Sequence, residues 1–299
     1  TYPQSSITTI RVRAVDTGSI VTDWSNPRVV TINPFQLRPS TSSPGLTDLV
    51  VGGTWGTGSY FFTGFIGGPI QWFVLAENVG LKPGQSLTPF GSIDNNGNFQ
   101  GNYLTRTLPA FNGELIVYGG EGFNYISAEA IFGDVQLYGG INDDVLIGGT
   151  GSDIIVGGDG NDILRGGSLS FDGNDIIQGG NGRDILIGHL GVDFLQGGAG
   201  DDLLVPGSIS FGTLYVPGKL FEIQFEWNSS RTYQQRVDNI RGSGSGTRFN
   251  GNTFLLPGST VFDDAALDTA YGELDLDWFL VRTSDDDNDK AIDEFLTLL

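Results

Sequence analysis

The chain has 299 residues, 38% of them hydrophobic, and is therefore long and apolar enough to bury a core. Its 35 acidic and 15 basic residues give a net charge of -20, which argues against nucleic acid or an anionic membrane as a partner and favours cations, calcium foremost. The chain has no cysteine and one histidine, so disulfides and zinc sites are not expected. It has no Met and begins at Thr1, which predicts that the start of the natural polypeptide is missing.

The first residues are predicted to be a β-strand pair. Residues 7–15 alternate in the manner of a strand, and a second strand is predicted over residues 28–32 after a turn. The pair resembles the last two strands of a fibronectin type III-like β-sandwich, and an arbitrary β-hairpin remains open; either way, residues 1–33 would end a preceding module. Residues 34–45 are rich in Pro, Ser and Thr and are predicted to be a linker or an extended crossing segment.

Residues 46–138 are predicted to be a β-rich, solenoid-like region. Candidate strands cover residues 49–51, 60–65, 71–75 and 115–118, and residues 94–98 (DNNGN) give a strong turn signal. The apolar stretch 60–76 is interrupted by glycines and a proline and is too short to span a bilayer, so no transmembrane segment is expected. Its aromatic residues leave carbohydrate binding open, although buried strands have the same composition.

A nine-residue repeat fills residues 139–205. The blocks are GGINDDVLI, GGTGSDIIV, GGDGNDILR, GGSLSFDGNDIIQ with four extra residues, GGNGRDILI, GHLGVDFLQ and GGAGDDLLV. The sixth position is aspartate in every block: Asp144, Asp153, Asp162, Asp175, Asp184, Asp193 and Asp202. The eighth position is apolar in every block: Leu146, Ile155, Leu164, Ile177, Leu186, Leu195 and Leu204. A copy at residues 119–127 has Asn124 in the aspartate position and is predicted to be a decayed first turn.

The glycines let six residues turn tightly with their carbonyl groups inward, and the next three form a short strand whose eighth position faces the core. The blocks resemble the hemolysin-type, or RTX, calcium-binding repeat, G-G-x-G-x-D-x-U-x with U large and apolar. The resemblance implies an all-β fold: a parallel β-roll (RTX β-solenoid) over residues 139–205, with a preceding β-rich region and a small helical insertion near the C-terminus. Two blocks would make one turn, so that aspartates two blocks apart form two columns with Ca²⁺ between successive turns. The first column would hold Asp144, Asp162, Asp184 and Asp202, and the second Asp153, Asp175 and Asp193.

The first column has three gaps between successive turns and the second has two, which makes five possible calcium sites. Hard oxygen ligands in this number suit calcium. The candidate ligands are the seven aspartates and the backbone of the glycines at the second and fourth positions, namely Gly149, Gly151, Gly158, Gly160, Gly180, Gly182, Gly198 and Gly200. The alternative, turns without an ion, suits one copy better than seven in register. The insertion at residues 168–172 interrupts the turn that presents Asp175 and threatens one site. His189 is expected to face solvent, and Asp143 and Asp201 to add only surface charge.

Calcium is expected to decide whether this segment folds. If calcium stands about tenfold above the dissociation constant, each site adds roughly 1.4 kcal/mol and five add roughly 7 kcal/mol, comparable with the stability of a whole domain. Without metal, columns of carboxylates would repel each other. The segment is therefore predicted to be disordered where calcium is scarce and to fold outside the cell.

The period stops after Pro206, and residues 206–262 are predicted to be a helical insertion. Its helices are expected over residues 219–227 and 231–241, with Ser230 as N-cap. Residues 263–299 are predicted to hold degenerate repeats and a C-terminal cap. There Asp268 and Asp277 stand nine apart, residues 285–289 are expected to be a solvated turn, and residues 291–299 a short helix that caps the roll or belongs to a type I secretion signal.

The C-terminal portion also resembles a block at the end of very large bacterial exoproteins that carry such repeats. The leading hypothesis is an extracellular calcium-binding structural or adhesive module of the cell surface or matrix, secreted, rigidified by calcium and self-associating or binding surface proteins or polysaccharide. The alternative is the C-terminal carrier domain of an exported hydrolase with its catalytic domain upstream. The chain itself is not expected to be an enzyme, since residues 242–246 (GSGSG) have glycine where a Gly-x-Ser-x-Gly motif needs serine, and no histidine is near them in the sequence.

Overall fold

We describe the protein from a computed structural model. The structure describes residues 7–10, 28–31, 35–52, 58–65, 71–75, 103–107, 112–167, 172–211, 218–281, 287–288 and 295–298. Most of the fibronectin-like segment, the predicted turn at residues 94–98 and residues 168–171 of the insertion lie outside the described residues.

The described residues form 23 strands and two helices. In chain order, the strands up to the end of the second repeat are β1 (Ile7–Ile10), β2 (Arg28–Thr31), β3 (Phe35–Pro39), β4 (Thr47–Gly52), β5 (Gly58–Phe65), β6 (Gln71–Leu75), β7 (Tyr103–Thr107), β8 (Leu115–Glu121), β9 (Asn124–Phe132), β10 (Val135–Ile141), β11 (Val145–Ile147) and β12 (Ile154–Asp159). They continue with β13 (Ile163–Arg165), β14 (Ile176–Asn181), β15 (Ile185–Ile187), β16 (Phe194–Ala199), β17 (Leu203–Val205), β18 (Ser208–Ile209), β19 (Val261–Phe262), β20 (Thr269–Leu274), β21 (Trp278–Val281), β22 (Asp287–Asn288) and β23 (Phe295–Leu298). The helices are α1 (Gly218–Trp227) and α2 (Tyr233–Ile240).

Two stacked sheets carry the architecture, and the chain alternates between them. The nine-strand sheet has the order β22-β20-β16-β14-β12-β10-β8-β4-β3, and the ten-strand sheet the order β23-β21-β17-β15-β13-β11-β9-β5-β6-β7. From β8 to β17 every lateral pair is parallel and joins strands two apart in the chain. Two blocks therefore make one turn, and the predicted all-β fold with a parallel β-solenoid is confirmed.

The eighth position of the repeat forms the core between the sheets. Leu146, Leu164, Leu186 and Leu204 are direct neighbours across the ten-strand sheet. Ile155, Ile177 and Leu195 are neighbours across the nine-strand sheet. All seven side chains are completely buried in one cluster. The stack gains its main hydrophobic stabilisation from them, at ~25 cal/mol per Å² of apolar surface removed from water.

The region before the repeats joins the same stack. Strands β4 and β5 pair in parallel with β8 and β9, and the candidate strands at residues 49–51, 60–65, 71–75 and 115–118 all lie within observed strands. Strand β3 pairs antiparallel with β4, so residues 35–39 of the predicted linker or extended crossing segment form an edge strand. The reason is that the end of the sheet offers unpaired backbone groups, which an extended segment satisfies by adding one strand.

The two helices cover the outer face of the ten-strand sheet. Ile147 and Ile185 at repeat positions nine and seven are buried there against Trp227 of α1 and Ile240 of α2. Thr232 caps α2 in a capping box with Gln235, so the expectation of Ser230 as N-cap is wrong. Thr232 fits because its hydroxyl accepts from the N3 backbone N–H while the Gln235 side chain reaches back. Neither helix is long and apolar enough to cross a membrane, and the described residues contain no other helix.

After the helical pair the chain returns to the roll. Strand β20 pairs with β16 and β21 with β17, both in parallel, and Ala270 and Phe279 extend the core columns of the eighth position. The weak nine-residue period in this part is thereby confirmed. Strand β23 pairs with β21, so the helix expected over residues 291–299 is wrong for residues 295–298. The open edge of β21 supplies hydrogen-bond partners along the whole segment, which outweighs its helix propensity.

Candidate metal centre

The sixth-position aspartates form two columns, one at each edge of the roll where the chain crosses between the sheets. Each of the seven carboxylates is at most 2% exposed. In the first column, the backbone N–H groups of Asp144, Asp162 and Asp184 each donate to Oδ1 of the aspartate one turn on, at 2.7–2.8 Å. In the second column, Asp153 and Asp175 donate in the same way at 2.8 Å. The structure thus brings the seven predicted residues together in the two predicted columns, and their role as ligands stays a prediction.

The second oxygen of these carboxylates is buried without a hydrogen bond. This applies to Oδ2 of Asp144, Asp162, Asp175, Asp184, Asp193 and Asp202. A buried carboxylate oxygen without a donor is costly unless a cation compensates it. Since calcium takes several oxygen ligands, including carboxylates and carbonyls, these oxygens fit it.

The first glycine of each block makes room for this oxygen, and the sequence prediction missed its role. A Cβ added to Gly179 would overlap Oδ2 of Asp184 and lie 2.5 Å from the carbonyl oxygen of Gly197 in the next turn. The same pair, the block's own carboxylate and the carbonyl of the next turn's first residue, surrounds the first glycine of every block. These glycines are Gly139, Gly148, Gly157, Gly166, Gly179, Gly188 and Gly197. The invariance of the first position within the repeats is the signal that could have found them.

The glycines at the second and fourth positions shape the turns. Gly158 and Gly160 have left-handed φ angles of +117° and +141°, and Gly180, Gly182, Gly198 and Gly200 share this conformation. A Cβ on Gly158 would also overlap the carbonyl of Gly140 in the previous turn. Gly149 and Gly151, in the second column, do not have a left-handed φ. Gly151 is instead required because a Cβ there would overlap the backbone of the preceding turn at Gly133 and Asp134.

Burial dominates the electrostatics of the columns. It raises the pKa of Asp144 to about 7. For Asp162, burial together with the negative charge of Asp184 raises the pKa to about 9. Burial likewise raises the pKa of Asp175, to about 8, with a contribution from Asp172. A cation beside such carboxylates stabilises their charged form against burial, which is a second reason why the columns fit a divalent ion.

Asn124 ends the first column. Its backbone N–H donates to Oδ1 of Asp144 at 2.6 Å, as the aspartates do, which is consistent with a decayed first turn. Its side chain differs, because Nδ2 donates to the carbonyl of Gly122 at 2.7 Å. An amide nitrogen therefore stands where the other turns present a carboxylate oxygen, so the gap between the turns of Asn124 and Asp144 has one charged oxygen fewer than the gaps between two aspartates.

The second column is less regular than the first. Oδ2 of Asp153 accepts the N–H of Gly149 at 2.5 Å. His189, expected to face solvent, is only 8% exposed, has a left-handed φ of +90° and places Nδ1 3.0 Å from Oδ2 of Asp172. The expectation is wrong because Asp172, at the end of the insertion, gives the imidazole a buried partner. Asp175 keeps its hydrogen bonds to both neighbouring turns despite the insertion.

The fifth position forms a second ladder on the outside of the turns. Asp143 accepts the N–H of Asn161 at 2.7 Å, and Asn161 accepts the N–H of Arg183 at 2.9 Å. Asp201 forms an ion pair with Arg236 of α2. Asp143 and Asp201 thus do more than add surface charge. Their side chains link successive turns and, at Asp201, anchor the helical pair.

A parallel β-roll whose edges carry columns of buried carboxylates and inward carbonyls is a structural, cation-binding fold. Among the described residues, no three or more His, Cys, Asp or Glu side chains group together as a metal site. Beside the first glycines, the carboxylate oxygens instead lie near backbone carbonyl oxygens of the next turn. Residues 138–168 and 169–204 match the family of the RTX calcium-binding nonapeptide repeat (4 copies). Residues 138–204 therefore carry RTX repeats, and RTX repeats bind calcium ions. No curated protein and no solved structure matches the chain.

Proposed function

We propose that this protein is an extracellular calcium-binding structural or adhesive module of a cell surface or matrix, which calcium folds and rigidifies and which self-associates into a layer or fibre. The observation that carries the proposal is the row of buried Oδ2 atoms without donors, each beside a carbonyl of the next turn. Such a row is stable only with cations, so folding depends on a medium rich in calcium. This favours secretion as the setting in which the module works.

The outer face of the nine-strand sheet, over which the described part of the chain places no helix, supports association. Whereas the helices cover the ten-strand sheet, the nine-strand sheet presents Tyr118 and Tyr138 stacked at 4.8 Å and Ile176 at 42% exposure. Gln178 and Gln196 bond to each other across strands on the same face at 2.8 Å. A flat parallel face with aromatic and amide ladders suits pairing with another sheet or with an extended polymer.

The test is circular dichroism with light scattering while calcium is titrated into chelator-treated protein. We expect a cooperative gain of β signal followed by rising scattering. Folding without scattering would overturn self-association and favour the carrier or spacer role of an exported hydrolase. No change in β signal would overturn the calcium-dependent module altogether.

The ligand assignment has its own test. Replacing Asp162 and Asp184 with Ala should raise the calcium concentration needed for folding, because it empties adjacent gaps of the first column. Asp159→Ala is the matched control, since Asp159 is exposed and its carboxylate accepts a hydrogen bond from the Asn181 side chain, outside the two columns. Equal calcium dependence of the double variant and the control would show that the column carboxylates are not ligands.

A further inference from the structure

We infer that the first column holds one more calcium site beyond the repeats, between the turn of Asp202 and the turn of residues 272–277, and that an ion there fixes the helical pair on the roll. The inference rests on the proposed function and deepens it. Residues 272–277 read GELDLD and lie outside the matched repeats, with glycine retained only at the first position. The sequence alone therefore gives little sign of a site here.

The geometry of this gap matches that of the gaps within the repeats. The N–H of Asp202 donates to Oδ1 of Asp277 at 2.7 Å, across 75 residues of chain. A Cβ added to Gly197 would overlap Oδ2 of Asp202 and lie 3.0 Å from the carbonyl oxygen of Gly272. A carboxylate oxygen and a carbonyl oxygen thus converge on one space, as they do around Gly179 one turn earlier.

The oxygen that points to a ligand is Oδ2 of Asp202. The side chain is fully buried and this atom accepts no hydrogen bond. The backbone of the degenerate turn also keeps the path of the repeats. Glu273 and Asp275 have φ angles of +77°, where Gly198 and Gly200 have left-handed φ in the preceding turn. Hard oxygen donors in this arrangement select calcium rather than a transition metal.

The helical pair is bonded to both turns that border this gap. Trp227 Nε1 of α1 donates to the carbonyl of Asp201 at 2.8 Å, and Arg236 of α2 pairs with the Asp201 carboxylate. From the other side, the hydroxyl of Tyr233 donates to the carbonyl of Asp277 at 2.6 Å. An ion between the turns holds Asp201 and Asp277 at the spacing that these three side chains require. Calcium binding and helix docking are therefore coupled.

The experiment compares Asp277→Asn with the unmodified chain by calorimetric calcium titration and by hydrogen exchange resolved along the sequence. Asn keeps an oxygen that accepts the Asp202 N–H but removes the charge. We expect the variant to bind one calcium ion fewer per chain and, at saturating calcium, to lose protection in α1 and α2 while the repeats stay protected. Asp275→Asn, an exposed position of the same turn, is the control and should leave both unchanged.

A second measurement covers the case in which Asp277→Asn does not fold. Terbium replaces calcium at oxygen sites and emits when an excited tryptophan is close, and Trp278 directly follows Asp277. Trp278→Phe should therefore lower the sensitised emission, and Trp227, whose ring centroid lies 6.0 Å from that of Trp278, supplies the emission that remains. Unchanged stoichiometry and helix protection in Asp277→Asn, or unchanged emission in Trp278→Phe, would overturn this site alone. No calcium binding by the unmodified chain would overturn the proposed function as well.

Discussion

The first glycine of a repeat is predicted to be as important for calcium binding as the aspartate. Gly179 does not have a left-handed φ, so alanine brings no backbone strain there. Its methyl group would, however, occupy the space of Asp184 Oδ2 and press on the carbonyl of Gly197. Overpacking of this kind costs ~1–3 kcal/mol. Loss of the ion from one gap costs about 1.4 kcal/mol more at tenfold saturation, so the sum is about 2–4 kcal/mol.

Urea unfolding in saturating calcium measures this change in the free energy of unfolding, and calorimetric titration counts the ions. Gly251→Ala is the control. A Cβ added to Gly251 would have no neighbour within 4 Å, and the φ of this residue is +55°. Alanine there should therefore cost only the left-handed strain of ~1–2 kcal/mol and leave the number of bound calcium ions unchanged. If Gly179→Ala matches Gly251→Ala in both ion count and stability, the first glycines do not shape the sites.

Three further predictions follow from burial and hydrogen bonding. Leu164→Ala should lower the free energy of unfolding by ~2–5 kcal/mol, whereas Leu267→Ala, 61% exposed, should change it by less than about 0.5 kcal/mol; equal values in urea titrations would contradict the core assignment. Trp227→Ala should lower the free energy of unfolding by ~3–5 kcal/mol, whereas Phe225→Ala should lower it little, since Phe225 is 63% exposed on the same helix. Similar melting temperatures of the two variants would mean that α1 does not pack as described. Asn124→Asp should add one bound calcium in calorimetry, and an unchanged count would show that the column cannot be extended there.

The repeat made the fold of residues 139–205 predictable, because its apolar eighth position and its aspartate at the sixth position lie in different parts of the structure, the core and the turns. A period of nine with one fixed apolar position leaves that side chain on the same face of every strand, which a solenoid buries. The fixed aspartate then has to lie in the turn. For the C-terminal portion, the nine-residue spacing of Asp268 and Asp277, with Ala270 and Phe279 at the eighth position, predicted the return to the roll although most of the repeat glycines are lost there.

The position of the helical pair could not be predicted from the sequence. Position nine is the clue in hindsight, since the buried Ile147 and Ile187 occupy it in the ten-strand sheet, whereas Gln178 and Gln196 occupy it in the other sheet. The repeat has a period of nine, but its environment has a period of eighteen. An alignment of nine-residue blocks mixes, at each position, residues of the sheet under the helices with residues of the other sheet, and so conceals the difference between the two sheets.

The insertions explain why the two columns differ. Both the short one that ends at Asp172 and the long one between Gly207 and Asp268 lie in turns of the second column, and the six-residue turns of the first column are uninterrupted up to Asp277. Loop closure entropy grows slowly with length, so a turn whose ends are fixed by two sheets tolerates many extra residues. By confining the insertions to one edge, the chain carries a helical cover on one sheet and still keeps, on the other edge, an unbroken column of buried aspartates from Asp144 to Asp277.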